Sequence, residues 1–153
     1  VPSVFDAAYF GAFVLLVLAG GLAIGYSNPP GAWYASLSKP WFNPPNWVFA
    51  PAWSVLYLLI AIAGWRTWAN NPRSLAMGLW CVQMALNFLW SPTFFSAHSL
   101  AGALAIILLL LAAIVAFIAV QWREDRVASA LFMPYAGWVA FATALNFAIL
   151  RLN

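Results

Sequence analysis

The chain has 153 residues, of which 66% are hydrophobic and only 6% are charged, with six basic and three acidic side chains. Soluble domains carry about 25% charged residues, so this composition excludes an ordinary soluble protein and predicts a membrane protein. The net charge of +3 includes no basic patch suited to nucleic acid. One histidine and one cysteine exclude an ordinary metal site and a disulfide within the chain.

Apolar runs divide the chain into predicted membrane-spanning helices. A hydrocarbon core about 30 Å thick requires about 20 apolar residues per helix. Little sequence remains outside these runs, so residues 1–153 are predicted to form a single all-α integral membrane domain, a five-helix transmembrane bundle. The predicted spans are residues 7–26, 44–68, 75–95, 100–122 and 127–149.

The first span is rich in small residues. Gly21 and Gly25 have the GxxxG spacing, and Ala8 and Ala12 repeat a small-xxx-small pattern. This spacing allows two helix backbones to approach closely. Both packing within the chain and a contact between two copies satisfy it.

A long connection, residues 27–43, follows and is here called the lid segment. Its sequence, SNPPGAWYASLSKPWFN, starts with a turn signal and is too aromatic for a solvated linker. We therefore expect it to lie on the membrane surface or to fold over the bundle as a lid. Its candidate lid residues are Trp33, Leu37 and Lys39.

Proline positions shape the expectations for the second span. Asn43 is a plausible N-cap, with Pro44 and Pro45 in the first turn, where a missing N–H has little effect. Pro51 falls inside the predicted helix, which predicts a kink or a local cavity there. In the third span, Gln83 and Asn87 are costly to expose to lipid, so they are expected to face the interior.

Three predicted helices carry aromatic residues at helical spacing, interrupted by amides and small residues. Such stripes suit a pocket for a flat, largely apolar ligand. Packing between helices, together with aromatic belts at the membrane surface, is the alternative explanation. The stripes are Phe49, Trp53 and Tyr57; Gln83, Asn87, Trp90 and Phe94; and Tyr135, Trp138, Ala142 and Leu145.

Catalytic constellations are nearly absent. No carboxylate lies within a span after Asp6, and a single histidine, His98, cannot form a Ser-His-Asp set. His98 is interpreted as an interfacial or capping residue rather than a haem ligand. Cys81 is interpreted as a small hydrophobic core residue, because it has no basic neighbour in sequence.

The distribution of basic residues predicts an orientation. With five spans, four basic residues (Arg66, Arg73, Arg123, Arg126) lie on the side of the N-terminus, and two (Lys39, Arg151) lie on the other. The positive-inside bias then places the N-terminus in the cytoplasm, if the protein resides in an inner membrane.

Three motifs together resemble one known family. The run WFNPP at residues 41–45, followed by aromatic residues up to Tyr57, resembles the W-x-x-P-P…W segment of the tryptophan-rich sensory protein and translocator protein family, also called the peripheral-type benzodiazepine receptor. NFLWSPTFF at residues 87–95 resembles its third-helix signature. PYAGW at residues 134–138, with the later Leu145-Asn146, resembles its fifth.

The resemblance implies a bacterial membrane protein that is often a homodimer. It also implies a cavity for a tetrapyrrole, protoporphyrin IX or haem, as a non-covalent ligand rather than a required cofactor. Sterols, other lipids and benzodiazepine-type ligands are further implied ligands. Carried over by position, the cavity residues are Trp41, Phe42, Phe49, Trp53, Tyr57, Asn87, Trp90, Tyr135, Trp138 and Ala142.

Two departures from the family pattern stand out. Phe42 occupies a position where a second tryptophan often stands, a change that would alter stacking. The sterol-recognition pattern requires a tyrosine between an upstream leucine and a downstream basic residue, whereas this chain has Leu145, Phe147 and Arg151.

Three functions are consistent with these residues. The first is a receptor or transport-type protein that takes part in tetrapyrrole transport, sensing or stress regulation. The second is an enzyme that degrades porphyrin with light, for which the resemblance implies roles for Trp53 and Trp138. The third is a structural membrane subunit without a ligand site, in which the aromatic stripes only pack.

Overall fold

The computed structural model describes the backbone of residues 4–153 and the side chains of residues 6–153, and within this range its regular elements are helical. In chain order, the short helix of the lid segment follows the first long helix and precedes the others. The elements in chain order are α1 (Val4–Ser27), α2 (Ala32–Ser36), a 3₁₀ turn (Asn46–Val48), α3 (Phe49–Asn70), α4 (Leu75–Ser91), a π-helical turn (Pro92–Ser96), α5 (Leu100–Glu124) and α6 (Arg126–Leu152).

Four segments of the described chain are long and apolar enough to cross a membrane. They are Asp6–Ser27, Asn46–Asn70, Leu100–Glu124 and Arg126–Leu152. Helix α4 has 17 residues and continues through the π-helical turn to Ser96. The count of five spans depends on α4 and stays a prediction.

Side-chain caps explain where three helices begin. Ser74 accepts a hydrogen bond from the Met77 amide at 3.1 Å before α4, and Ser99 accepts one from the Gly102 amide at 3.0 Å before α5. Asp125 alone separates α5 from α6 and accepts from the first amides of α6. These caps satisfy donors that have no acceptor within the helix.

The predicted start of the second span is wrong. Asn43 is not an N-cap, because Pro44 and Pro45 precede the 3₁₀ turn rather than forming a first helical turn. Pro45 has φ −59° and ψ 149°, an extended conformation. A proline disfavours helical geometry in the residue before it, so consecutive prolines keep this stretch extended.

The predicted interior position of Pro51 is also wrong. Pro51 is the third residue of α3, which begins at Phe49. Amides in the first turn of a helix have no acceptor within the helix, so a missing N–H there does not interrupt the hydrogen-bond ladder.

The prediction that Cys81 is a core residue is wrong, because its side chain is exposed. The buried side of α4 follows Trp80, Gln83, Met84 and Asn87, and Cys81 lies outside that stripe. The inward position expected for the two amides is confirmed, since Gln83 is fully buried and Asn87 is 6% exposed.

Glycines allow α1 to lie directly against α3 and α4. A Cβ at Gly21 would be 2.4 Å from the Tyr57 ring, and one at Gly20 would be 2.7 Å from the Phe88 ring. A Cβ at Gly25 would meet nothing within 4 Å. Of the GxxxG pair, Gly21 therefore serves packing within the chain.

The end of the bundle that contains Asp125, here called the charged-turn end, is tightly packed. A Cβ at Gly64 would be 2.5 Å from the Trp80 indole, whose Nε1 donates to the Ile60 carbonyl at 3.0 Å. Buried Gln121 donates from Nε2 to Thr67 Oγ1 at 2.9 Å, which links α5 to α3. Small residues and paired polar groups thus hold the helices together at this end.

One ion pair closes the charged-turn end. The Arg66 Nε and Asp125 Oδ2 atoms are 2.9 Å apart, and Nη2 donates to Oδ1 at 3.0 Å. Burial opposes the negative charge on Asp125, but hydrogen bonds from Arg66, Ala128 and Val127 and the charge of Arg66 outweigh it and lower the pKa of this carboxyl. The pair fixes α3 to the α5–α6 turn.

Candidate ligand-binding site

Four polar side chains from three helices form a hydrogen-bonded chain in the middle of the bundle, in which Gln83, Asn87 and Tyr135 are buried and Tyr57 is half-buried. Tyr135 of α6 donates its hydroxyl to Gln83 Oε1 at 2.8 Å and accepts from Asn87 Nδ2 at 2.7 Å. Tyr57 of α3 donates to Asn87 Oδ1 at 3.5 Å. The last bond is long, so the carbonyl oxygen of Asn87 retains accepting capacity on the side of Tyr57.

The orientation of the Gln83 amide sets the direction of this chain. Gln83 places its Nε2 4.0 Å from the Met84 sulfur, a weak acceptor, which leaves Oε1 to accept from Tyr135. The Tyr135 proton is then committed to Gln83, and Asn87 must offer its amino group to Tyr135. A ligand that meets Asn87 from the Tyr57 side therefore encounters an acceptor.

Aromatic rings from α3 and α6 lie next to the polar chain. Trp53 contacts Tyr57 with ring centroids 5.4 Å apart, and its edge-to-face contact with Trp138 has a centroid distance of 6.4 Å. Phe49 meets Trp138 at 6.0 Å. These four side chains are here called the aromatic cluster. Because the rings touch one another, a flat ligand can enter the cluster only if they separate.

The indole nitrogen of Trp138 is buried and has no hydrogen-bond partner among the described residues, a property that it shares with Trp65 Nε1. An unpaired buried donor costs about 1–3 kcal/mol. Trp138 stands within the aromatic cluster, so a ligand acceptor at this nitrogen would remove that cost.

Trp90 belongs to the bundle framework. Its Nε1 donates to Asn146 Oδ1 at 3.1 Å, and Asn146 Nδ2 donates to the Leu100 carbonyl at 3.1 Å. Its ring packs on Phe94 at 4.9 Å. The polar edge of Trp90 thus joins α4 and α6 to the start of α5. Ala142 is half-buried on α6.

Two of the residues carried over from the family lie at the margin. Trp41 is 94% exposed and touches the half-buried Phe42 edge to face at 5.6 Å. Phe42 in turn meets Phe141 of α6 at 6.2 Å. The structure therefore brings Phe42 against the bundle and leaves Trp41 outside it.

The lid segment packs against a second apolar cluster of Phe94, Ala103, Leu145 and Ile149, with Trp33 and Leu37 at its edge. Trp33 stacks on His98 with centroids 4.2 Å apart and planes 6° apart. At its far end, Ser38 exchanges two hydrogen bonds with Asn153, at 3.1 Å and 2.9 Å. Contacts at two places thus hold the segment on the bundle.

Tyr34 is the buried anchor of the lid segment. Lys39 Nζ lies 4.5 Å from the centre of its ring, and the Tyr34 hydroxyl donates to Asn43 Oδ1 at 3.4 Å. Burial raises the pKa of Tyr34, and the hydrogen bond to Asn43 only partly opposes this. Tyr34 is therefore neutral at physiological pH.

Two clefts open on the surface of the bundle, and one of them includes Trp138 of the aromatic cluster. One, of about 500 Å³, lies between the lid segment and the start of the 3₁₀ turn and includes Tyr34, Lys39, Asn43, Pro44 and Asn46. The other, of about 640 Å³, is a groove between α3 and α6, with Pro44 at one end. Its walls are Ala52, Val55, Leu56, Pro134, Gly137, Trp138 and Phe141.

Comparison with known proteins assigns the family. A model of the TspO/MBR family matches residues 13–152. The chain belongs to this family. It is 43% identical over 145 residues to Protein CrtK of Rhodobacter capsulatus, covering 92% of this chain and 89% of that protein. The match thereby confirms the resemblance seen in the three motifs.

Two further relatives show how widely the TspO/MBR family extends. The chain is 43% identical over 147 residues to the Tryptophan-rich protein TspO of Archaeoglobus fulgidus, covering 93% of this chain and 95% of that protein. It is 35% identical over 126 residues to the human Translocator protein, covering 79% and 75%. With several apolar helices and this family membership, the protein is an integral membrane protein.

Several residues of the clefts were not predicted as site residues from sequence. Pro44 was assigned to the first turn of a helix, and Val55, Gly137 and Phe141 carry no polar group that would signal a site. Gln83 was expected to face inward, but its hydrogen bond to Tyr135 depends on the register between α4 and α6. Only the three-dimensional packing reveals these roles.

Proposed function

We propose that this protein is a membrane receptor or transport-type protein that binds a tetrapyrrole, protoporphyrin IX or haem, at the aromatic cluster. The observation that carries the proposal is that touching aromatic rings adjoin a polar chain that holds one carbonyl oxygen available. Family membership supports it, since relatives bear the names Translocator protein and tryptophan-rich sensory protein. Transport, sensing and stress regulation are the roles consistent with such binding.

The chemistry of the cluster matches this ligand class. Trp53, Phe49 and Trp138 offer ring faces and edges to a flat macrocycle. Asn87 offers an acceptor, and the Trp138 indole offers a donor. Binding would separate the rings of the aromatic cluster. Contacts between aromatic side chains would then be replaced by contacts with the macrocycle.

Quenching of tryptophan fluorescence by protoporphyrin IX tests the proposal. The parent should show saturable quenching, and Trp53→Ala should weaken it at least tenfold. Trp122→Ala is the matched control, because it also removes one tryptophan, but from the end of α5, where the Arg126 guanidinium lies over the Trp122 ring. Equal binding by the parent and Trp53→Ala would refute the site. No saturable binding by the parent would favour the structural-subunit alternative.

Light-dependent porphyrin degradation is a second candidate function. The observation in its favour is the edge-to-face contact of Trp53 with Trp138, two oxidisable side chains at the proposed ligand position. Absorbance of bound porphyrin under illumination in air distinguishes the two functions. Loss of absorbance faster than in empty micelles, and slowed in Trp138→Phe, would indicate an enzyme; equal loss would indicate a binder.

A five-span topology, a homodimer and a cytoplasmic N-terminus complete the proposal. Sterol binding has less support, because Phe147 replaces the expected tyrosine and is 50% exposed, with the Arg151 guanidinium 5.9 Å from its ring centre. A Phe147→Tyr variant that gains sterol binding would show that this position limits it.

A further inference from the structure

The two clefts share the wall residue Pro44 and are here together called the track. Pro44 belongs to both: the polar cleft beside the lid segment lies on one side of it, and the apolar groove between α3 and α6 lies on the other. Their volumes are about 500 Å³ and 640 Å³. A molecule with a polar end and an apolar body that lay across Pro44 would contact both clefts without any separation of the rings in the aromatic cluster.

The polar end of the track carries an unpaired positive charge. Lys39 is half-buried in the cleft, and among the described residues it forms no ion pair. Its Nζ donates to the Leu37 carbonyl at 3.2 Å and faces the Tyr34 ring, which leaves two of its three N–H donors free for another partner. The amides of Asn43 and Asn46 line the same cleft.

Charge is distributed unequally between the two ends of the molecule. The three acidic residues of the sequence are Asp6, Glu124 and Asp125. Asp125 pairs with Arg66 at the charged-turn end, and the contact of Phe10 with Trp65 brings the start of α1 to the same end. No acidic side chain in the sequence thus belongs to the lid segment or its neighbours, so the cleft favours an anion.

The apolar part of the track is open to the membrane. Val55 on α3 is 60% exposed, and a Cβ at Gly137 on α6 would meet nothing within 4 Å. Both helices are long and apolar enough to cross a membrane, so the groove faces lipid. An occupant dissolved in the bilayer reaches the groove from the side.

We propose that this track is a second, external binding site for a carboxylate-bearing amphiphile with a flat apolar body, with the carboxylate at Lys39 and the body in the α3–α6 groove. Protoporphyrin IX has this chemistry, so the inference rests on the proposed function in its choice of ligand. The external site holds the ligand at the surface of the bundle, beside Trp138, before the aromatic cluster opens. Charge pairing sets the orientation, and the apolar groove excludes water from the macrocycle.

The experiment uses the full chain in phosphatidylcholine nanodiscs and follows binding by the anisotropy of porphyrin emission. Trp53→Ala removes the internal site, so the saturable binding that it retains reports the external one. In this background, Lys39→Gln should weaken binding of protoporphyrin IX about fivefold, whereas Lys39→Arg should restore it. The dimethyl ester of protoporphyrin IX should bind equally to Trp53→Ala and to both Lys39 variants in that background.

Gly137→Leu should abolish the retained binding, because its side chain fills the groove without meeting a neighbour. Two matched controls should leave it unchanged: Gly78→Leu, another exposed helical glycine with open space around its Cβ, and Arg151→Gln, which removes the other basic residue predicted for this side. Circular dichroism and elution volume must match the parent for each variant.

Each outcome separates the two proposals. If the parent binds but Trp53→Ala does not, the external site is refuted and the internal site stands. If Trp53→Ala binds as tightly as the parent and Lys39→Gln does not, the external site stands and the internal site is refuted. If phosphatidylglycerol nanodiscs suppress the retained binding only when Lys39 is present, a lipid phosphate is the occupant, and the tetrapyrrole assignment is overturned.

Discussion

The two ends of the bundle use similar residues in opposite ways. At the charged-turn end, Trp80 fills the space above Gly64 and its indole nitrogen is bonded, and Gln121 and Thr67 satisfy each other. At the lid end, Trp138 lacks a partner for its indole nitrogen and also lines the open α3–α6 groove, and Trp41 is almost fully exposed. The Trp65 indole at the charged-turn end lacks a partner too, so an unpaired indole alone does not distinguish the two ends. Tryptophan-rich composition alone therefore does not mark a site. What marks the candidate site is an unpaired indole that also lines an open groove, as Trp138 does.

The largest expected effect tests the packing of the charged-turn end. Gly64→Leu should lower the free energy of unfolding by about 3 kcal/mol, because any side chain at this position collides with the buried Trp80 indole. Thermal unfolding in detergent measures this loss. Gly78→Leu, with open space around its Cβ, should be close to neutral, and an equal loss in both variants would contradict the comparison.

The second-largest expected effect tests the polar chain in the middle of the bundle, between the two ends. Tyr135→Phe leaves Gln83 Oε1 and Asn87 Nδ2 without their partner, so stability should fall by about 2 kcal/mol. Asn87 also loses the bond that fixes its amide orientation, so porphyrin binding should weaken. Chemical unfolding and porphyrin titration measure the two losses. Loss of stability with unchanged affinity would show that the polar chain serves the fold alone.

A smaller effect depends on pH. The pKa of Asp125 is lowered in the folded protein, so its contribution to stability is present above its unfolded value of 3.8 and is lost as the pH falls through the folded value. Arg66→Gln should reduce this contribution, by under about 1 kcal/mol because the Arg66 side chain is 37% exposed. Melting temperatures from pH 7 down to pH 3 should therefore fall more steeply for the parent than for Arg66→Gln.

The smallest effect is local to the lid segment. Asn153→Ala removes both hydrogen bonds to Ser38, which are exposed. Global stability should change by less than about 0.5 kcal/mol, while hydrogen exchange of the Ser38 amide should accelerate. Mass spectrometry of deuterium uptake in residues 27–43 measures this. An equal acceleration in α5 would mean that the lid segment is coupled to the whole bundle.

The sequence predicted the helices well where long apolar runs decide the structure. The predicted spans 100–122 and 127–149 correspond to Leu100–Glu124 and Arg126–Leu152. It failed where local chemistry competes: consecutive prolines at Pro44 and Pro45 suggested a helical first turn, but a proline's restriction on its predecessor prevailed. Helix α2 was missed because five residues in a turn-rich stretch carry no periodic signal.

The candidate site was predictable only in part. Helical spacing identified the aromatic stripes, and the presence of amides within a span predicted that Gln83 and Asn87 face inward. The direction of the hydrogen bonds through Tyr135 depends on the register of α4 against α6, which spacing within one helix does not determine. The same limit applied to Cys81, because an apolar run does not reveal which side of a helix meets lipid.

The one-residue connection at Asp125 has a consequence for how the protein is made. Because a single residue separates the 25 residues of α5 from the 27 residues of α6, the two helices can turn back on each other as soon as both are synthesised. Their pairing is among the most extensive in the bundle and is local in sequence, so it forms at low entropic cost. We expect α5 and α6 to enter the bilayer together as a helical hairpin. The test is a glycine-serine insertion after Asp125. If α5 and α6 still became protected together during translation in this variant, the expectation would be contradicted.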